Sequence, residues 1–427
     1  MKKQAVCGIV FGIFASIFSL GFVSAALVSP ALLQTSDSSG LMDVSVWVSD
    51  AAAFDSIIAQ VGADNVVERF YPDAFVAKLN AKQVSYLAKR GDVSILEPTL
   101  KFEIVMYDAV GITGANKVWP LKLNSVNLKG NGETIAIVDT GIDFNHVDLA
   151  GKNIAGVEFD CYNNIDCAGS SNVSDLNGHG THVAGIAGAS GGINGIAPDV
   201  NLVALKVFNS SSGSFTSSVP IVRAINFVVQ YADQYNISVI SMSIASSGTW
   251  TGYCDSTLPS LKNAINSAVA KNISVVASAG NNYKSDAIAL PSCISSVIPV
   301  AASNKDDTLA SYSNINSLVK LVAPGTAIIS TKMGGGYTAM GGTSMATPMI
   351  SASIALINQY LALKGKPKMT PQQIEDILAS NGDALIGTAG IGQKRVNLER
   401  VFTFFKVPKA NENAVEISAV NVSGIDR

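Results

Sequence analysis

Six short apolar runs, separated by amphipathic stretches, restrict this chain more than any other feature. They are Thr134 to Val138, Leu202 to Val207, Ser238 to Ser243, Ser274 to Ala277, Val297 to Ala301 and Leu318 to Val322. Continuous rather than alternating apolar character means that both faces need cover, which is the condition of a strand in a parallel sheet. Between the runs, Val219 to Tyr235 and Leu258 to Lys271 repeat apolar residues at helical spacing. Strand and helix in alternation predict a parallel α/β sandwich.

Three loop segments adjoin these elements. Gly341-Gly342-Thr343-Ser344-Met345-Ala346-Thr347-Pro348 leads into the apolar run Met349 to Leu363. Ser344 therefore falls in the first turn of a long helix, where unpaired backbone N–H groups and the positive dipole end would stabilise an oxyanion. The run Thr134 to Val138 ends at Asp139-Thr140-Gly141, the carboxyl end of a strand, where open parallel sheets place their sites. His179-Gly180-Thr181-His182-Val183-Ala184-Gly185 follows Asp175-Leu176-Asn177-Gly178, and the chain holds only three histidines, His146, His179 and His182. Orienting acid, base and nucleophile are thus available in the chain order Asp139, His179, Ser344.

At these residues the sequence resembles the subtilisin-like serine proteases, the subtilases, from about Asp108 to Val401, with a propeptide-like segment before. The resemblance implies an α/β, subtilisin-like three-layer sandwich and a serine endopeptidase acting on polypeptides as a monomer, with no cofactor required for its chemistry. Ser344 Oγ would attack the carbonyl, His179 would move the proton, and Asp139 would orient the imidazole. An unperturbed histidine titrates near 6.5, so activity is expected to rise between roughly pH 6 and 7.5. His182 and His146 are expected to make structural hydrogen bonds. Ser278-Ala279-Gly280-Asn281 resembles the family segment whose asparagine donates to the oxyanion, which assigns Asn281 beside the Ser344 N–H. Substrate would lie extended along Ser241 to Ser246, touching Ser243, Ile244 and Ala245. Ala245 and Ser246 stand where glycines are usual in the family, and no acid is placed near the first pocket, so an apolar or aromatic preference is expected. Structural calcium, common in the family, is left open and no metal ligand is assigned. The segment Ile186 to Pro198 is short, Lys320 stands where an aspartate ligand often sits, and Asp306 and Asp307 are the remaining acidic candidates.

The ends complete the organisation. Lys2-Lys3, an apolar run Ala5 to Phe22 and Val23-Ser24-Ala25 read as a signal peptide over 1–25 and hence as a secreted protein, with an uncleaved membrane anchor as the rival. No later stretch is expected to span a membrane. Residues 26–42 read as a linker. Residues 43–107 read as an α+β unit of βαββαβ order, which the resemblance makes a ferredoxin-like propeptide acting as folding chaperone and intramolecular inhibitor. Its tail would add a strand to the cleft, with self-cleavage between Phe102 and Asp108 and Tyr107 before the cut. The catalytic domain is taken as 108–405 and the polar tail as 406–427.

Cys7 leaves with the signal, and of three pairings for the other four the preferred one is Cys161 with Cys167 and Cys254 with Cys293. Five sequons, at Asn172, Asn209, Asn236, Asn272 and Asn421, permit glycosylation. With 48% apolar and 14% charged residues among 427, the chain is long and apolar enough for a large core and an accessory one. A net charge of −3 gives no electrostatic case for nucleic acid. Two other classes compete: an inactive scaffold used for binding, and an α/β-hydrolase esterase. Against the esterase, Gly342-Thr343-Ser344-Met345-Ala346 lacks the second glycine of a nucleophile elbow.

Overall fold

The computed structural model describes residues 26–34, 40–99, 102–103, 113–159, 170–208, 217–387 and 392–407, the side chains of residues 33, 34, 102 and 103 excepted. Residues 26–99 form a small α+β unit. Its strands are β1 (Leu27–Val28), β2 (Leu41–Val48), β3 (Val66–Phe70), β4 (Ala74–Asn80) and β5 (Val93–Pro98), with helices α1 (Phe54–Val61) and α2 (Ala81–Leu87). The sheet order is β1-β5-β2-β4-β3. Asn80 starts α2 by accepting the N–H groups of Lys82 and Gln83, while the Gln83 side chain accepts the Asn80 N–H. Such a reciprocal cap satisfies two donors that the helix leaves unpaired.

Residues 27–34 are not the linker that the sequence suggests. Leu27 and Val28 pair with Ile95 and Leu96, and Leu32 is fully buried in the core of the small unit with Val44, Phe54 and Leu96. The run Ala26-Leu27-Val28 is too short to announce a strand, and only the exposed edge of β5 gives it a partner.

The large unit is built on a nine-stranded sheet. Its strands are β7 (Thr134–Asp139), β8 (Asn153–Glu158), β9 (Asn201–Lys206), β10 (Ile237–Met242), β12 (Ser274–Ser278), β13 (Ile298–Ser303), β14 (Leu321–Pro324), β17 (Asp383–Ala384) and β18 (Lys394–Arg395). The order is β8-β9-β7-β10-β12-β13-β14-β18-β17, parallel except for the last pair. The helices are α3 (His179–Gly188), α4 (Ser218–Tyr235), α5 (Pro259–Val269), α6 (Thr343–Leu363), α7 (Pro371–Ser380) and α8 (Leu398–Phe404), with β11 (Ala245–Ser246) and the hairpin β15 (Ile328–Thr331) and β16 (Tyr337–Met340) outside the main sheet.

Alternate residues of β7 show why its apolar run is continuous. Ile135 and Ile137 pack with Val183 of α3 and Met349 and Ile350 of α6. Ala136 and Val138 pack on the other face with Val222 and Ile225 of α4 and Leu261 of α5. The sheet is covered on both sides, so the architecture is a three-layer α/β sandwich with a mainly parallel sheet.

Two expectations need correction. The strand expected at Leu318 begins at Leu321, because the Leu318 N–H is drawn to the Asn316 side chain in a turn at 3.0 Å. Helix α6, at 21 residues, is long and apolar enough to cross a bilayer, contrary to the sequence reading. Its window is 89% buried inside the protein, so its apolar surface all round reflects a central core position.

The two units share a packed face. Trp47, Phe70, Ala74 and Val76 lie in one cluster with Val219, Val222 and Leu258. Glu97, fully buried, accepts from Trp47 Nε1 at 3.0 Å, from the Ser260 N–H at 3.1 Å and from Ser260 Oγ. A carboxylate of the small unit therefore meets donors at the N-terminal end of α5, where negative charge is favoured. Burial pushes its carboxyl up, against those donors.

Candidate active site

The carboxyl edge of the sheet gathers the residues singled out in the sequence. Asp139 ends β7, Ser243 follows β10, Asn281 lies three residues beyond β12, and His179 and Ser344 stand in the first turns of α3 and α6. Gly180 is required for this approach. A Cβ there would sit 2.1 Å from the Gly141 carbonyl oxygen, so any larger residue would push the His179 helix off the strand that carries Asp139.

His179 Nδ1 lies 2.8 Å from Asp139 Oδ1, with both side chains buried. An ionised carboxylate can only accept, so the ring proton is on Nδ1 and the lone pair is on Nε2. Asp139 Oδ1 also accepts the Thr140 N–H at 2.8 Å, which fixes the carboxylate before the imidazole arrives. Ser344 and Ser243 are joined reciprocally: Ser344 Oγ donates to the Ser243 carbonyl at 3.1 Å, and Ser243 Oγ donates to the Ser344 carbonyl at 2.7 Å. Nε2 of His179 has no hydrogen-bond partner among the described residues. The expected chain of hydroxyl, imidazole and carboxylate is therefore made at its second link and not at its first. The Ser344 hydroxyl is turned toward Ser243, and such catalytic contacts commonly tighten only around a bound substrate.

Asn281 is oriented by Thr343, whose N–H and Oγ1 both reach Asn281 Oδ1, at 3.0 and 2.9 Å. A backbone N–H must donate, so the oxygen of the amide faces Thr343 and the NH2 group is the other branch.

Sequence reasoning did not single out Asp175. Its carboxylate accepts from the N–H groups of Asn177, Gly178 and Thr181 and the hydroxyls of Thr140 and Thr181. It caps α3 and ties it to the strand end, a role worth about 1 kcal/mol for an ordinary cap. The signal was present: an acid four residues before a helix-opening histidine, followed by Asn-Gly. Backbone contact is added by a segment far away in sequence, β6 (Phe102–Glu103), which pairs antiparallel with β11, Glu103 opposite Ala245 and Phe102 opposite Ser246.

The other two histidines are held structurally. His182 Nε2 donates to the carbonyls of Ile328 and Thr338 at 3.0 and 3.1 Å, and His146 Nε2 donates to Gly336 O at 2.8 Å. Both tie the β15–β16 hairpin to the site. Burial pushes the His182 imidazole down to about 4. The unfolded chain takes up this proton below about pH 6.5 and the native protein only near 4, so stability should fall as pH drops through that window. The whole effect is on the order of 3 kcal/mol. Urea unfolding at pH 7, 5.5 and 4.5 should show the decline, and His182→Gln should remove that part of it.

The residues weighed for calcium, and Asp148 beside the short segment Ile186 to Pro198, are already engaged within the protein. Asp148 is buried, and its carboxylate accepts the N–H groups of Gly192 and Ile193 and the Tyr337 hydroxyl at 2.8, 2.9 and 2.8 Å. Three of its roughly four acceptor directions are taken by donor hydrogens. Lys320 is paired with Glu375 and Asp376 at 3.0 and 2.9 Å. Asp306 accepts from Thr308, and Asp307 from Arg395. Among the described residues no three acidic, histidine or cysteine side chains converge.

Cys254 and Cys293 form a disulfide. A closed loop of 39 residues' separation gives about 4 kcal/mol by loop-closure entropy. Cys161, Cys167, Tyr107, the signal segment and most of the polar tail fall outside the described residues.

The sequence pattern of the subtilase family matches residues 130–400, so this chain belongs to the subtilase family. It is a serine endopeptidase with polypeptide substrates. Subtilisin DY of Bacillus licheniformis is 36% identical over 284 residues, 65% of this chain and 93% of that protein. Thermitase of Thermoactinomyces vulgaris is 36% identical over 275 residues, 63% and 88% of the two chains. An intracellular serine protease of Paenibacillus polymyxa is 37% identical over 243 residues, 54% and 68% respectively.

Proposed function

We propose that the chain is a secreted zymogen whose Asp139, His179 and Ser344 form the catalytic triad, and that residues 43–107, with the strand Leu27–Val28 added to their sheet, are its propeptide. The buried Asp139–His179 contact of 2.8 Å carries this reading, because with the proton held on Nδ1 it leaves Nε2 as the proton acceptor. Ser344 Oγ attacks the peptide carbonyl as His179 takes its proton, and His179 then protonates the departing amine. Water repeats the sequence to release the acid. Asp139 holds the tautomer and stabilises the imidazolium.

The oxyanion is received by the Ser344 N–H and the Asn281 NH2 group. Asn281→Ala is expected to lower kcat by roughly 10² to 10³ with KM little changed, checked by steady-state kinetics on a peptide amide. Substrate adds as a strand along Ser243, Ile244 and Ala245, which favours unfolded segments.

The small unit acts as inhibitor and folding template. Its ferredoxin-like strand order, the buried Glu97 cap on α5 and the β6–β11 pairing support that role. Export rests on the segment 1–25. The test is to express the chain from Ala26 and follow its mass: wild type is expected to split into two fragments while Ser344→Ala stays whole. A wild type that folds and never splits would overturn self-activation.

A further inference from the structure

We infer that Asn314 is a positioning residue for the reaction: it fixes the turn that presents the Asn281 amide to the oxyanion. This rests on the oxyanion role given to Asn281 above and deepens it. Asn281 belongs to no helix or strand and lies in the turn 279–282 just past the end of β12. A turn is soft compared with a buried strand, and a shift of about 1 Å in a catalytic group costs on the order of 10²-fold in rate. The backbone on either side of Asn281 therefore has to be held.

Asn314 holds it from both sides. Its Nδ2 donates to the Ala279 carbonyl at 3.1 Å and to Asn282 Oδ1 at 2.9 Å. Its Oδ1 accepts the N–H groups of Asn282 and Lys284 at 2.8 and 3.1 Å. Its own backbone N–H donates to the Gly280 carbonyl at 2.8 Å. Backbone N–H groups can only donate, so the oxygen and nitrogen of this amide are not interchangeable. Two donors and two acceptor directions exhaust what a primary amide offers, and here all of them go to residues before and after Asn281. The side chain is fully buried, a setting in which hydrogen bonds are electrostatically stronger than in water.

Gly280 makes this approach possible. Its φ is +98°, and a Cβ there would sit 2.5 Å from Asn314 Nδ2, so a side chain would strain the backbone and push the amide away. Labour is divided around Asn281. Thr343 turns its amide through the contacts to Oδ1, whereas Asn314 sets where the backbone beneath that amide lies. An asparagine that merely braced a loop would make the same bonds; the difference is whether its loss is felt through Asn281.

A double-mutant cycle reads that difference. Steady-state kinetics on a peptide amide, with enzyme concentration set by active-site titration, compare wild type, Asn314→Ala, Asn281→Ala and the double variant, all expressed as the full chain. Asn314→Asp is the isosteric second variant should alanine impair folding: it keeps the acceptor for Asn282 and Lys284 and loses both donors. Each Asn314 variant is expected to lower kcat roughly 10- to 100-fold with KM within about twofold of wild type. In the Asn281→Ala background, where kcat has already fallen by roughly 10² to 10³, the same substitution lowers it no further, because no amide is left to misplace. An equal fold-loss in both backgrounds, a change in KM alone, or an unchanged kcat overturns the positioning role while leaving Asn281 as the oxyanion donor. If Asn281→Ala itself leaves kcat unchanged, the oxyanion assignment falls, and this inference with it.

Discussion

Ser344→Ala is expected to fold, to remain a single uncut chain and to lose peptidase activity by a factor of about 10⁶, the scale of nucleophile loss in another member of this family. The side chain is fully buried at the start of α6, and removing one oxygen leaves the helix unchanged because the backbone N–H groups of that turn are unaffected. The Ser344–Ser243 hydroxyl contact disappears, worth about 1 kcal/mol. Stability and activity should therefore separate. Thermal unfolding of the variant should lie within about 2–4 °C of that of the unprocessed wild type, while kcat falls to the residual level supplied by the oxyanion donors and substrate binding. An alanine variant that still cut itself would remove Ser344 from the mechanism.

The second large effect is expected at Asp139. Asp139→Ala removes the acceptor for His179 Nδ1–H in a site where both side chains are buried, and kcat should fall by about 10⁴. The loss, about 5.5 kcal/mol of barrier, has two sources that a second variant separates. Asp139→Asn retains an oxygen that can accept from both His179 and the Thr140 N–H, but it carries no charge to stabilise the imidazolium. If charge dominates, Asn and Ala fall equally in kcat. If orientation dominates, Asn retains more activity than Ala. In both, KM should change little, because Asp139 ends a buried strand away from β11.

Much of this was legible because the chemistry is concentrated in short segments. Continuous apolar runs gave the parallel sheet, and β7 shows the reason, since Ile135 and Ile137 face one helical layer and Ala136 and Val138 the other. Asp139, His179 and Ser344 were visible because a strand end and two helix starts carry them. What was missed depends on contacts distant in sequence. Leu27 and Val28 become a strand only because β5 offers an edge. Asp175 becomes a cap only once α3 sits against the end of β7. The hairpin β15–β16 holds two histidines through its backbone carbonyls, which no side-chain pattern announces.

The central claim is that one hydroxyl among the many serines of this chain is the nucleophile and that His179 activates it. A fluorophosphonate with a mass tag, applied to processed enzyme and mapped by peptide mass spectrometry, tests it directly. The account predicts a single adduct on Ser344 that is abolished in His179→Ala, the latter produced by supplying propeptide and mature chain separately and confirmed as folded by near-UV circular dichroism. An adduct on another serine, or equal labelling of Ser344 without the imidazole, would contradict it.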